Sequence, residues 1–379
     1  MIYLIPIILC LLGMLLYDNP ANKSKGWFLW LTLFVTLVSI FGLRYKVGGD
    51  TYNYMTFFSW APDIYDWQPI SVTKFEPGFT YLTAIVKTFT DDIYIYQTIL
   101  SFLMTSMLMT FIAKNTEYKF LAMLIIFFSM YLYFSTEVIR EGLALTGMLL
   151  IYPLWNRKHY VLYILMVLFL SSFHISALVG LFLPLADKMK LNKRFFVILF
   201  FFVLGSFALF PVIRLLSNYY IFEKLLRYDD LINVGYGWKG FRFIYFCLLP
   251  LYIVNLFHNK YKVPCKFEGI ICLQIIFGVG LWIIPVVFQR LINYTIIFYL
   301  VSLAQMLGTV MRDPVWKANH RFAYLKTQRS MARIALVLTF LAHSTYYIHL
   351  GFWERYIPYH SYFDPIEVPE RQKFVAGQN

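Results

Sequence analysis

Arg44, Asp50, Glu76, Arg140, His174 and Arg290 carry side chains fit for binding phosphate or moving a proton. Arginine offers a planar fork of donors that matches phosphate oxygens, which lysine lacks. Carboxylates and histidine take protons from hydroxyls when held within hydrogen-bond reach. Each residue also has a plainer reading. Arg44 and Asp50 flank Gly48 and Gly49 in RYKVGGDTYNY, where paired glycines allow a sharp turn with a surface ion pair. Glu76 precedes Pro77 in FEPGF, as an acid at a helix start does. Arg140 in TEVIREGLA has Glu137 at i−3, the spacing of an intrahelical pair, and Glu141 beside it. His174 in SSFHISA reads alone as a packed polar residue, and Arg290 in VFQRLINY is followed by Asn293 and Tyr294.

The elements that must position these residues are set by composition. Of 379 residues, 60% are apolar, 20% aromatic and only 14% charged. Ordinary soluble domains are roughly 45–50% apolar and about 25% charged, so this chain cannot build a water-facing surface. The expectation is an all-α polytopic membrane protein. At roughly 20 residues per span, the length accommodates about twelve transmembrane helices. Met1 to Tyr17 lacks the basic start and small-residue cleavage site of a signal peptide and reads as the first span. A net charge of +13 fits the positive-inside excess of cytoplasmic loops better than a nucleic-acid partner. The four cysteines lack zinc or redox spacing and read as unpaired fillers.

Apolar runs cover 1–17, 27–43, 94–112, 120–134, 195–217, 241–258, 268–287, 295–311 and 332–350. Two further stretches read as hairpins: 120–155, with Glu137, Arg140 and Glu141 at its apex, and 160–187, with His174 at its apex. Basic clusters at 23–25, 114–119, 157–158, 188–194, 260–266 and 312–333 are assigned to the cytoplasm. That pattern closes with both termini outside. It leaves 77–90 as an interfacial or re-entrant helix. Residues 1–350 then form one membrane domain with external loops 44–76 and 218–240, followed by an external polar tail, 351–379. All the chemically capable residues fall on one side at one depth, where a charge near hydrocarbon is costly unless paired or hydrated. Such a set suits a phosphorylated lipid with its headgroup at the outer surface. Aromatic residues there, among them Tyr54, Trp60 and Tyr294, could stack on sugar rings or belong to an ordinary aromatic belt.

The run from Arg44 to Tyr54, E-P-G-F at 76–79, R-E-G-L-A at 140–144, F-H-I-S-A at 173–177 and Q-R at 289–290 together resemble the EpsG family of Wzy-type bacterial polysaccharide polymerases. The resemblance spans about two thirds of the chain in the family's order. It implies a glycosyltransferase of the inner membrane with a GT-C-like architecture. Such an enzyme joins oligosaccharide repeat units carried on undecaprenyl diphosphate, for O-antigen, capsule or exopolysaccharide. It also implies a chain-length regulator and a flippase of the same pathway as partners. On this reading Arg44, Arg140 and Arg290 hold the diphosphate, and Asp50, Glu76 or His174 is the base. No cofactor motif is evident, and no DxD-like pair argues for a metal.

Three rival classes use the same composition. A lipid-oligosaccharide flippase or other transporter needs polar groups along a path through the bilayer midplane, and mid-span ionisable residues are few here. A membrane O-acyltransferase would use His174 as its base but leaves the external arginines idle. A purely structural protein would tolerate loss of Arg140 and Arg290.

Overall fold

A computed structural model describes residues 2–19, 25–68, 75–215, 236–282, 284–320, 322–349 and 352–371. In a chain this apolar, backbone N–H and C=O groups must be satisfied within their own segment, which leaves helices as the available element. Among the described residues there are no strands, only isolated bridges joining Ser361 to Arg44 and to Asp364. In chain order the helices are α1 (Leu4–Leu16), α2 (Trp27–Gly42), α3 (Thr51–Trp60), α4 (Pro77–Phe89), α5 (Ile93–Asn115), α6 (Lys119–Thr136), α7 (Ile139–Asn156) and α8 (Tyr160–Ser171). They continue with α9 (Ile175–Ala186), α10 (Lys193–Leu215), α11 (Gly240–Lys260), α12 (Glu268–Gly280), α13 (Pro285–Arg312), α14 (Pro314–Ala318), α15 (Phe322–His349) and α16 (Phe352–Tyr356).

Among the described residues α5, α6, α11 and α13 are long and apolar enough to cross a bilayer, whereas α1, α2, α8, α9 and α12 are apolar but shorter. The protein is an all-helical membrane protein. Helix α13 has 28 residues, about 42 Å at 1.5 Å per residue, and is its inner post. Every residue from Ile292 to Ala304 is buried, as an all-round apolar helix requires, and α6, α9, α12 and α15 pack around it. Helix α5 packs on α2 and α7, and α7 on α8. Leu11 and Leu15 on α1, and Val161, Leu165 and Phe169 on α8, are exposed, as lipid-facing residues are.

Both expected hairpins turn where the charged and histidine-bearing apices lie. The first breaks at Val138, whose φ of −114° and ψ of 54° leave the helical region, and the second at His174, which is extended. Helix α4 occupies the stretch expected as interfacial or re-entrant; its 13 residues, about 20 Å, are too few to span.

One end of the bundle therefore gathers the close of α2, the starts of α4, α5, α7 and α13, and the α8–α9 turn. The other gathers the close of α1, α5 and α13 and the starts of α6 and α12. Residues 352–371, expected as part of a polar tail, return to the first end and pack on the turn after α2. There the Tyr45 N–H donates to His360 O (2.8 Å) and the Tyr362 N–H to Leu43 O (2.8 Å). Of the expected external loop 218–240, residues 218–235 lie outside the described residues.

Candidate active site

The site is organised by the first turn of α7. Because the helix breaks at Val138, Glu137 closes α6 while Arg140 and Glu141 open α7, and the three charges leave in different directions. None pairs with another. The intrahelical Arg140–Glu137 pair suggested by their spacing does not form; the Arg140 guanidinium donates to the Glu76 carboxylate and lies over the Phe75 ring, 4.3 Å from its centroid. Glu76 occupies the N-cap position of α4, with Pro77 opening the helix. The next residue, Gly78, donates its N–H to Ser172 O (2.7 Å), and a Cβ at this position would overlap Ser172. That close approach is what the glycine of the FEPGF motif permits, and it brings α4 against the turn bearing His174.

Glu141 is 1% exposed and is held by α13. Arg290 Nη1 donates to Glu141 Oε2 (3.2 Å), and Asn293 Nδ2 donates to Oε1 (2.9 Å). Gln289, one residue before Arg290, steadies Asn293 (3.3 Å). The same Arg290 Nη1 lies 2.9 Å from His174 Nε2. A guanidinium only donates, so Nε2 is the acceptor in this contact. The Ser176 N–H approaches Nδ1 at the longer distance of 3.4 Å. Arg290 nevertheless keeps 42% of its side chain exposed, against 22% for Arg140. Each arginine is thus anchored to a carboxylate while part of its side chain stays exposed.

Asp50 comes from the loop after α2. Gly48 has φ +103°, a left-handed conformation that favours glycine, and a Cβ on Gly49 would crowd the Glu137 carboxylate. The Gly49 N–H donates to Glu137 Oε1 (2.7 Å), and Arg355 Nη1 donates to Oε2 (3.1 Å). Asp50 follows directly, at the start of α3, half-buried, with Asn53 Nδ2 at 3.4 Å from its Oδ1. Tyr54, one turn on, stacks on Phe75 (5.8 Å between centroids), the ring beneath Arg140. The loop and the Arg140–Glu76 pair therefore share one aromatic contact.

The remaining expected residues fall elsewhere. Arg44 is buried and turned onto its own loop, donating to Phe41 O and, through Nε, to Val47 O (3.2 Å). Burial lowers its pKa to about 10, so it stays charged at neutral pH. It holds the turn and does not join the cluster of Arg140 and Arg290. Tyr54 and Tyr294 are buried and present no open face for a sugar ring, although Tyr294 lies in the field of Glu141 and Arg290. Trp60, at the end of α3, is 85% exposed.

Of the residues expected from the sequence, the structure brings Arg140 to Glu76 and Arg290 to His174; the sequence did not show that Glu141 and Asn293 hold Arg290, that Ser172 meets Gly78, or that Glu137 and Arg355 hold Gly49. Glu137 and Glu141 were legible as charges at an apex. Arg355 carried no signal, standing in a polar segment 218 residues from its partner. Among the described residues no group of three or more His, Cys, Asp or Glu side chains comes together as a metal site would require.

Comparison with curated proteins and with solved structures returns no match. A family profile, by contrast, covers residues 27–361, from the start of α2 to the segment after α16, and takes in every motif described above. The chain belongs to the EpsG family.

Proposed function

We propose that this protein is a Wzy-like polysaccharide polymerase, joining oligosaccharide repeat units carried on undecaprenyl diphosphate at the outer face of the bacterial cytoplasmic membrane. The observation that carries the reading is that Arg290, from α13, bonds Glu141 in the first turn of α7, next to Arg140, which reaches from the same turn to Glu76, so that two arginines far apart in sequence stand at one end of the bundle. In this reading the fold is GT-C-like, with about twelve spans and both termini outside. The product is O-antigen, capsule or exopolysaccharide, and a flippase and a chain-length regulator act beside the enzyme.

The step is a glycosyl transfer. An acceptor hydroxyl oxygen attacks the anomeric carbon of the donor, the bond from that carbon to the diphosphate oxygen breaks, and the acceptor proton passes to a base. Negative charge grows on the departing diphosphate, where the exposed parts of Arg140 and Arg290 stabilise it. Diphosphate binding at Arg140 competes with Glu76, so the donor releases a carboxylate beside the reacting centre. Asp50 and Glu76 are the proposed bases, and each must reach the acceptor hydroxyl. His174 has its Nε2 lone pair directed at Arg290 and orients that arginine until the substrate arrives. The same contact argues against an acyltransferase, which needs that lone pair free. The position of the charges at one end of the bundle argues against a flippase.

The test is glycan analysis of a deletion strain complemented with wild type, Arg140→Ala, Asp50→Asn, Glu76→Gln, His174→Ala or Arg290→Ala, with membrane abundance measured for each. The expected outcome is single repeat units on carrier or acceptor, exported but not polymerised, in the deletion and in the arginine variants. Repeat units trapped inside, or polymer of normal length lacking acyl groups, would replace the reading.

A further inference from the structure

The loop 43–49 belongs to no helix, yet four of its backbone groups are bonded by a segment that follows it by some 310 residues. Leu43 O accepts from the Tyr362 N–H (2.8 Å), the Tyr45 N–H donates to His360 O (2.8 Å), and the Gly48 N–H donates to Arg355 O (3.1 Å). Lys46 O accepts from Arg371 Nη1 (3.3 Å). Arg371 is itself buried, with its other donors on Pro358 O and on Glu354 O (3.4 Å), so it ties the segment into a closed strap. Lys46 and Glu367 add an ion pair at the rim. At Gly49 the link is different in kind. Its N–H is held by the Glu137 carboxylate, and that carboxylate by the Arg355 guanidinium.

A carboxylate as buried as Glu137 requires a cation. Arg140, the cation nearest in sequence, is bonded to Glu76. Arg355 supplies the charge instead. A strap that only closed the loop could do so with the backbone bonds it already makes, whereas this ion pair fixes the residue directly before Asp50. We propose that Arg355 is a positioning residue which, acting through Glu137 and the Gly49 N–H, sets where the Asp50 carboxylate stands. This rests on the polymerase reading, in which Asp50 is a proposed base. A catalytic group displaced by about 1 Å loses on the order of a hundredfold in rate.

The experiment uses the full-length protein. Polymer per molecule is measured in the complemented deletion strain. For purified protein, hydrogen exchange of residues 43–50 and of α5 is measured, together with binding of undecaprenyl diphosphate alone. Arg355→Ala should lower polymer at least tenfold and speed exchange in 43–50, leaving α5 exchange and undecaprenyl diphosphate affinity within twofold of wild type. Arg355→Lys should recover a substantial part of both losses. If Arg355→Ala is not recovered from membranes, Glu137→Gln/Arg355→Gln is read the same way, since it removes both charges and keeps an acceptor for the Gly49 N–H.

Wild-type polymer with unchanged exchange in 43–50 would overturn the proposal. So would loss of polymer accompanied by faster exchange in α5 and no recovery by lysine, which marks general unfolding. If the deletion strain itself makes polymer of normal length, the polymerase reading fails and takes this role with it. The exchange data then show separately whether Arg355 fixes the loop.

Discussion

The two ends of the helical bundle use the same residue types for opposite purposes. At the end away from the proposed site, acids and amides close helices. Asp18 is fully buried and accepts from the Phe120 N–H (3.1 Å) and Leu121 N–H (2.7 Å), capping α6. Asp313 caps α14 through the Val315 N–H (2.8 Å), and Glu268 accepts from the Leu191 N–H (2.8 Å). Arg312 donates to Met14 O at the close of α1. The Asp18, Asp313 and Arg312 contacts satisfy backbone groups that a helix end leaves open, and Glu268 satisfies one in the link between α9 and α10. At the other end Glu76 and Glu141 meet arginines from remote segments, and Arg290 adds His174. A desolvated ion pair is no better for stability than apolar packing of the same volume. What differs between the two ends is the main partner: mostly backbone at the far end, although Glu268 also faces His258 (3.4 Å), and mostly other ionisable side chains at the proposed site.

The largest effect that could break this contrast is on activity at the site end. Arg290→Ala or Arg140→Ala should lower polymer per molecule by about a hundredfold or more, as loss of one donor to a developing oxyanion does. Membrane abundance should stay at the wild-type level. Near-normal polymer in both would place these arginines with Arg312 as structural charges. The next effect runs the other way. Asp18→Ala removes the acceptor for two buried N–H groups and should cost about 1–3 kcal/mol of stability. A lower Tm with unchanged polymer per folded molecule is the expected result; loss of polymer at full stability would erase the difference between the ends.

The same distinction explains what the sequence made legible. Apolar runs punctuated by charge located the helices, the two hairpin apices and the short helix after Glu76, because hydrocarbon burial leaves a period and a length that can be read. Arg140, His174 and Arg290 stood out because charge in apolar surroundings is expensive. Arg44 has the same appearance in the sequence, yet it donates to Phe41 O and Val47 O. A backbone carbonyl leaves no mark in sequence, so nothing distinguished an arginine that holds a turn from one paired with a remote carboxylate. Glu137 was paired on paper with Arg140 by helical spacing; a break at Val138 voids that spacing, and the true partner, Arg355, lies in a segment whose polarity suggested a free tail. Tertiary pairing across 218 residues has no local signature.

The smallest test concerns pH at the far end. Burial raises the Asp18 carboxyl to about 6, against the opposing pull of the two N–H groups and of nearby Arg312 and Lys119. In the unfolded chain the same group titrates at about 3.9. Between roughly pH 4 and 6 the folded protein holds a proton there that the unfolded chain has released, so folding gains from protonation and stability falls as pH rises through that window. Asp18→Asn has no such proton. The Tm of wild type minus that of Asp18→Asn should therefore decline by a few degrees from pH 4 to pH 7 and level off above it. A difference that stays flat or rises would mean that the carboxylate is stabilised as the anion, as in an ion pair. The far end would then be using its acids in the same way as the proposed site.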